Sequence, residues 1–299
     1  MNTIIHTENM TKRFGQTVAV DCLNLEVPAG SIFAFLGPNG AGKTTTIKAL
    51  MNIFAPDEGT ATVLGMPSTA LSPAEFQRIG YVSENQQMPG WLTVRELVDY
   101  CRPMYPEWDA AFCEKLLKQF DLPPDRKIRN LSRGMRVKAA LLISLSYRPR
   151  LLVLDEPFTG LDPLVRDEFI RGVLELTEQE NWTVFVSSHD IDEVERLADW
   201  VGILNKGRLD ICESVATLQE RFRRVEVVRG EDGRLPPLPA SWRTVEQAGK
   251  TLQFVDSAFS AETERKLREL LPGCRNPQFT PLTLREIFLT LARTYRIAE

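Results

Sequence analysis

Gly37-Pro38-Asn39-Gly40-Ala41-Gly42-Lys43-Thr44 is a glycine-rich stretch closed by a lysine and a hydroxyl. On its left, Ile32–Leu36 is apolar on both faces, the pattern of a strand buried inside a parallel sheet. On its right, Ile47, Leu50 and Met51 fall at helical spacing. A strand that turns through glycines into a helix has few other uses than holding an anion. Without a Cβ the backbone can curl close to a charged ligand, and the curled amides join the helix N-terminus in pointing at it. The pattern is G-x-x-x-x-G-K-[ST], a phosphate cradle. Gly37, Pro38, Asn39, Gly40, Ala41, Gly42 and Thr45 are the expected lining. Lys43 supplies a point charge for outer phosphates and is expected to be solvated in the absence of ligand. The Thr44 hydroxyl is a candidate ligand for Mg²⁺.

Leu151–Leu154 is a continuous apolar run that ends in Asp155 and Glu156. Ligands of parallel sheets bind beyond the C-terminal ends of the strands, so Asp155 is placed to hold Mg²⁺. Strand side chains alternate, so Glu156 is expected to point the other way, as a general base for water. Ser132, of an N-cap residue type, precedes the helical run Arg136 to Leu145. With the Gly134 amide and the helix dipole its hydroxyl can bind an anion; plain capping explains the serine but not the glycine two residues later. His189 follows the apolar strand ending at Ser187-Ser188, in reach of a phosphate oxygen or in a structural role.

Helical periodicity from Thr93 to about Ser146 separates the two halves of the sheet pattern and predicts a helical insertion over about 88–147. Residues 3–8 and 17–27 read as half-exposed antiparallel strands. Each of the apolar strands at 151–154 and 183–186 is expected to be followed by a helix. Near Glu213 the composition shifts, and Leu235 to Pro239 is rich in proline. The expected division is 1–222 and a small α/β appendage at 223–299, with strands at 225–228 and 252–255 and helices at 262–271 and 282–295. The five cysteines are scattered with no Cys-x-x-Cys, which suits a reducing compartment and argues against zinc. No signal peptide is read at the N-terminus, and no apolar run is long enough to span a membrane. A net charge of −4 argues against a general nucleic-acid binder. Arg126, Lys127, Arg129, Arg133, Arg136 and Lys138 read mostly as a solvated face, and Tyr100 to Trp108 as helical core or a partner contact.

The order Gly37–Thr44, Leu131–Met135, Leu151–Pro157, Gly160-Leu161-Asp162 and Ser188-His189-Asp190 resembles the ATP-binding subunits of ABC transporters, over roughly residues 3–215. The resemblance implies an α/β P-loop NTPase of ABC ATPase type: a RecA-like core, an antiparallel β subdomain and a helical subdomain. It implies ATP and Mg²⁺ as ligands, with Phe14 stacking on adenine, Lys43 and Thr44 at the phosphates and Mg²⁺, and Asp155 at Mg²⁺. Glu156 matches the catalytic glutamate, His189 the switch histidine, and Asp162 the loop that crosses a dimer interface. Ser132 and Gly134 match the signature that contacts ATP on a second subunit. The usual signature is Leu-Ser-Gly-Gly-Gln, and here Arg133 and Met135 replace Gly and Gln. Glu84 stands where a glutamine usually meets Mg²⁺ and the membrane subunit, a pattern similar to ABC-2-type exporter ATPases. The implied partners are a second ATP-binding subunit and a multi-span permease, with the chain peripheral on the cytoplasmic face of the membrane.

Two other function classes fit the sequence less well. A soluble ABC-type ATPase of translation or DNA repair would carry a second ATP site, a long coiled coil or a DNA-binding insertion, and none is seen. A GTP switch would use Asn205-Lys206-Gly207-Arg208 to read guanine, but Arg208 stands where an acceptor carboxylate is required.

Overall fold

The computed structural model describes residues 2–84, 86–180, 182–230 and 235–297. They form two compact units, Met1–Cys212 and Glu213–Glu299. The first opens with β1 (Thr3–Phe14), β2 (Thr17–Pro28), β3 (Ile32–Leu36), α1 (Lys43–Leu50), β4 (Glu58–Val63), β5 (Met66–Pro67), α2 (Pro73–Phe76) and β6 (Ile79–Ser83). A helical segment follows, with α3 (Val94–Cys101), α4 (Ala110–Gln119) and α5 (Arg133–Ser146). The chain returns through β7 (Leu151–Asp155), α6 (Pro163–Glu180), β8 (Thr183–Ser188), β9 (Trp200–Asn205) and β10 (Arg208–Ser214).

Two sheets sort by burial. In the order β2-β1-β4-β5 the pairs are antiparallel, and β2 buries Leu23, Leu25 and Val27 while exposing Asn24 and Glu26. That alternation is what a sheet with one wet face requires. The second sheet runs β10-β9-β3-β8-β7-β6, and every residue of β3, β7 and β8 is buried. Phe33 and Phe35 pack on Phe185 at ring separations of 5.6 and 5.3 Å. The parallel register aligns Leu36 with Ser188, Ser187 with Asp155, and Asp155 with Ser83. Four strand ends therefore share one edge, and the chemistry-bearing residues gather there.

Each α-helix of the helical segment has a side-chain cap at its start, of which the sequence pointed to Ser132. Thr93 and Glu96 form a reciprocal capping box on α3, Asp109 caps α4, and Ser132 caps α5. Tyr147 stacks on Tyr105 at 3.9 Å and donates to the Ile79 carbonyl at 2.9 Å, tying α5 to β6. Within the aromatic stretch Tyr105 and Trp108 are half-buried, while Tyr100 is exposed.

Two expectations are corrected. No helix of ordinary length follows β8. A short 3₁₀ turn at Ile191–Glu193 leads instead into β9 and β10. Asn205–Arg208 is the turn joining those strands, with Lys206 and Gly207 both left-handed (φ 47° and 82°). Two successive positive φ values suit a two-residue hairpin. The Gly207 amide donates to the Ala41 carbonyl at 2.9 Å, so this stretch braces the glycine-rich loop. Lastly, the division between units falls after Cys212, earlier than the expected boundary at 222.

The second unit contains α7 (Val215–Arg221), β11 (Arg223–Val228), β12 (Trp242–Ala248), β13 (Thr251–Asp256), α8 (Thr263–Leu270), β14 (Arg275–Pro281) and α9 (Leu284–Ile297). Its sheet runs β12-β13-β11-β14 and is antiparallel. Trp242 stacks on Phe254 at 4.1 Å in a core shared with Val225, Val227 and Leu267. α7 belongs here because Arg221 pairs with Glu213 and donates to the Ser257 carbonyl at 2.7 Å. The pairing strands β12 and β14 carry short or proline-interrupted apolar patterns, which is why sequence periodicity passes over them.

Candidate active site

The glycine-rich loop joins β3 to α1 and is held from both sides. The Gly37 amide donates to the Ser188 carbonyl at 3.3 Å. Gly42 has φ 108°, and a Cβ there would lie 2.3 Å from the Ala19 carbonyl oxygen. Gly40, at φ 82°, has open space around it, so only its backbone conformation calls for glycine. Pro38, Asn39 and Gly40 are exposed at the loop tip, Ala41 is buried, and Thr45 is half-buried in the first turn of α1.

Lys43, the first residue of α1, is 5% exposed, not solvated. Its Nζ donates to the carbonyls of Gly37 (2.7 Å) and Pro38 (3.2 Å) and pairs with Glu156 Oε1 at 3.1 Å. The loop folds round its own cation because a buried ammonium needs partners. Thr44 Oγ1 donates to Asp155 Oδ1 at 3.1 Å, and Ser187 Oγ donates to the same oxygen at 2.8 Å. Glu156 Oε2 lies 2.8 Å from His189 Nδ1, and the Glu156 amide donates to Ser187 Oγ at 3.0 Å.

Strand alternation does not govern Glu156. β7 ends at Asp155, and Glu156 takes φ 52°, in the left-handed region that non-glycine residues seldom visit. The kink lets Glu156 reach Lys43 while Asp155 meets Thr44, adjacent residues at the start of α1, instead of sending the two carboxylates to opposite faces. Such local strain persists where surrounding contacts over-determine it. Here those contacts come from Lys43, Ser187 and His189.

The two carboxyls are tuned in opposite directions. Burial pushes Asp155 above the ordinary carboxyl range, against the hydrogen bonds from Ser187 and Thr44, and the charge of Glu156 adds to the rise. Burial also pushes Glu156 up. The His189 hydrogen bond and the charge and hydrogen bond of Lys43 together outweigh it, so Glu156 sits below its ordinary value. A base kept ionised beside a second carboxyl pushed the other way is an arrangement that separates roles.

The remaining candidates lie apart from this cluster. Phe14 is half-exposed and meets Phe54 edge-to-face at 5.5 Å. Lys12 Nζ stands 5.7 and 5.3 Å from the two ring centroids, held by Asp57 at 3.1 Å. Ser132 Oγ accepts from the Met135 amide at 3.2 Å as the N-cap of α5. A Cβ on Gly134 would stand 2.8 Å from Val165 Cγ1, so close packing on α6 accounts for that glycine. Asp162 Oδ1 accepts from the Val165 amide at 3.1 Å at the start of α6. Glu84 is not brought to the Thr44–Asp155 pair by its side chain. Its amide donates to the Asp155 carbonyl at 2.9 Å, while its carboxylate accepts from Arg133 Nη2 at 2.9 Å.

Sequence reasoning missed Ser187 as a partner of Asp155, Phe54 behind Phe14, and Glu193. Glu193 is 5% exposed, accepts from Ser188 Oγ, and has Arg166 Nη1 at 3.8 Å. Burial raises its carboxyl. It fixes Ser188, whose carbonyl holds Gly37 and whose neighbour is His189. Nothing in the short stretch after β8 signals that burial, because a 3₁₀ turn has no long periodicity to read.

The site offers curled amides, a buried lysine, and a hydroxyl–carboxylate pair of hard oxygen donors. Such a pair suits Mg²⁺, which takes one or two protein ligands and completes its shell with phosphates and water. No cluster of three His, Cys, Asp or Glu side chains able to hold a metal exists among the described residues. Together with the parallel sheet, these features define a P-loop nucleoside triphosphatase. The model of the family described as ABC transporter matches residues 20–159. Over 286 residues the chain is 26% identical to the ABC transporter ATP-binding protein YtrB of Bacillus subtilis, covering 96% of this chain and 97% of that one. It is 30% identical to the bacitracin transport ATP-binding protein BcrA of Enterococcus faecalis, covering 79% and 77%. The solved ADP conformation of MJ1267, an ATP-binding cassette of an ABC transporter, superposes with a TM-score of 0.62 at 26% identity, over 72% of this chain and 92% of that one. The chain belongs to the ABC transporter family, as an ATP-binding and ATP-hydrolysing subunit of the transport machinery.

Proposed function

We propose that ATP is bound at the shared strand edge and hydrolysed between two subunits, with Lys43, Thr44, Asp155, Glu156 and His189 as the working residues of one half-site. The observation that carries this is their convergence from the loop, α1, β7 and β8 through contacts of 2.8–3.1 Å. Gly37 to Gly42, with the α1 N-terminus and Thr45, cradles the phosphates, and Phe14, backed by Phe54, stacks on adenine. Thr44 and Asp155 hold Mg²⁺, which when bound neutralises phosphate charge. Glu156, ionised and held by His189 and Lys43, accepts a proton from water. Lys43 exchanges an internal carboxylate for outer phosphate oxygens, so ligand binding and release of Glu156 are linked. His189 donates Nδ1–H to the ionised Glu156, and its Nε2 donates to a phosphate oxygen when the ring carries both protons. Glu84 is left out of the Mg²⁺ set.

Ser132, Gly134 and Asp162 face a second ATP-binding subunit. Ser132 still has its hydroxyl hydrogen to give while accepting from Met135. No described helix is long and apolar enough to cross a membrane, and a multi-span permease is the partner that places the chain on the cytoplasmic face. The relative named for bacitracin transport and the Tyr81-to-Glu84 pattern favour an ABC-2-type exporter, with the permease choosing the cargo.

The test mixes two inactive proteins, Lys43→Ala and Ser132→Arg. The mixed dimer contains one site with neither change, and hydrolysis is expected to return. A Lys43→Ala, Ser132→Arg double variant mixed with wild type leaves no intact site and is expected to poison it. Absence of both effects, with subunit exchange demonstrated, refutes the shared site.

A further inference from the structure

Arg133 and Glu84 are the two charged departures from the family pattern at these loops, and they are partners. Arg133 Nη2 donates to Glu84 Oε1 at 2.9 Å. The same guanidinium lies over Gly160, where an ideal Cβ would come within 2.7 Å of Nη1 and 2.9 Å of Cζ. Gly160 has φ 70°, so a glycine there serves both the turn and the arginine. Glu84 is itself pinned, its amide on the Asp155 carbonyl at 2.9 Å. One side chain of the signature stretch thus grips the loop after β6 and the loop after β7 of its own chain. With glycine at 133 and glutamine at 84, neither the charge nor the reach would exist. The setting favours this pairing. Glu84 is the one acid among the described residues lining a cleft of about 530 Å³ that Arg129, Arg133 and Arg136 also line.

We propose that Arg133 and Glu84 form a within-chain latch that positions the Ser132–Gly134 segment on its own core and restrains closure onto a second subunit. The proposal rests on the two-subunit reading above. Arg133 lies between Ser132 and Gly134, the two residues that face the other subunit in that reading. While its guanidinium is paired with Glu84 and packed over Gly160, the segment is fixed to its own chain. Closure must break or carry that grip, so the latch sets how much ATP is needed to close. Arg133 acts through the segment's position and is not a catalytic residue. The side chains are 42% and 33% exposed, so water and salt screen the pair and its effect is modest.

The experiment uses the full chain in two arms. Without nucleotide, thermal unfolding of wild type, Glu84→Gln, Arg133→Gly and the double variant gives the coupling of the pair. Non-additivity that fades at 1 M salt (a Debye length of about 3 Å) is expected, and strict additivity at low salt overturns the latch whether or not subunits pair. In the second arm Glu156→Gln is added to block hydrolysis, and dimer formation is titrated with ATP. Each latch variant is expected to lower the half-maximal ATP concentration about two- to fivefold, the double variant no further, and the swap Glu84→Arg, Arg133→Glu to restore the starting value. Single variants that leave the titration unmoved, or move it in opposite directions, overturn the proposal. Failure of the Glu156→Gln protein with an intact pair to dimerise refutes the two-subunit reading and with it the restraint on closure, and the first arm then decides the pair alone.

Discussion

Replacing Lys43 by alanine tests the site and the fold at once. Phosphate binding alone would make Lys43→Ala inactive but stable. The structure predicts a different result, because Lys43 Nζ is paired with Glu156 at 3.1 Å, with side-chain exposures of 5% and 11%. Removing one partner strands a buried carboxylate, which costs about 3–5 kcal/mol. His189 still holds the other Glu156 oxygen at 2.8 Å, so the lower end, about 3 kcal/mol, is expected. A unit of this size loses roughly 2–4 °C per kcal/mol, giving a Tm drop of about 6–12 °C. The assay is thermal unfolding in EDTA without nucleotide, beside steady-state hydrolysis. The double variant Lys43→Ala, Glu156→Gln is the control. With the stranded charge gone, most of the Tm should return although hydrolysis stays lost. If the single variant melts within about 1 °C of wild type, the Lys43–Glu156 pair contributes nothing and the reasoning fails.

Hydrolysis by Glu156→Gln is expected to fall about 10²-fold or more with ATP binding retained, and near-normal turnover would remove Glu156 as the base. The two neighbouring carboxyls should respond oppositely to pH. Asp155 is raised above its ordinary 3.8, so its charged form costs stability above the folded value, and that cost disappears as pH falls through it. Glu156 is lowered below 4.5, so its contribution is present above 4.5 and lost as pH falls through the folded value. At pH 7 the Tm is therefore expected to rise in Asp155→Asn and fall in Glu156→Gln, and shifts of the same sign would contradict the assignment. Phe14→Ala removes a stacking platform worth about 1–3 kcal/mol and should weaken ATP binding roughly 5- to 150-fold in an equilibrium titration. Truncation after Ser214 keeps β10 whole, whereas truncation after Phe222 leaves Leu218 and Phe222, 0% and 1% exposed, without the rest of their unit. The shorter chain is expected to be the more soluble of the two and to bind ATP.

Local rules made the core legible. Gly37–Thr44 between an all-apolar pentad and a helix, and Leu151–Leu154 ending in two acids, state their own chemistry, because backbone reach and strand burial are set within a few residues. The antiparallel strands, the helical segment with its Ser132 cap, and the change of character near Glu213 follow from periodicities of the same short range. Tertiary structure decided what those residues touch. That Lys43 is buried against Glu156, that Glu156 turns left-handed to join Asp155, and that Ser187 and Glu193 support the pair depend on strands far apart in sequence meeting in register. Periodicity carries no information about register between distant strands. The same limit hid Arg133 from Glu84. Each reads in sequence as a departure from the family pattern, and only the packing of α5 beside the end of β6 makes one the partner of the other. A pairwise Coulomb contact depends on distance in space, and this one spans 49 positions of chain that no local pattern connects.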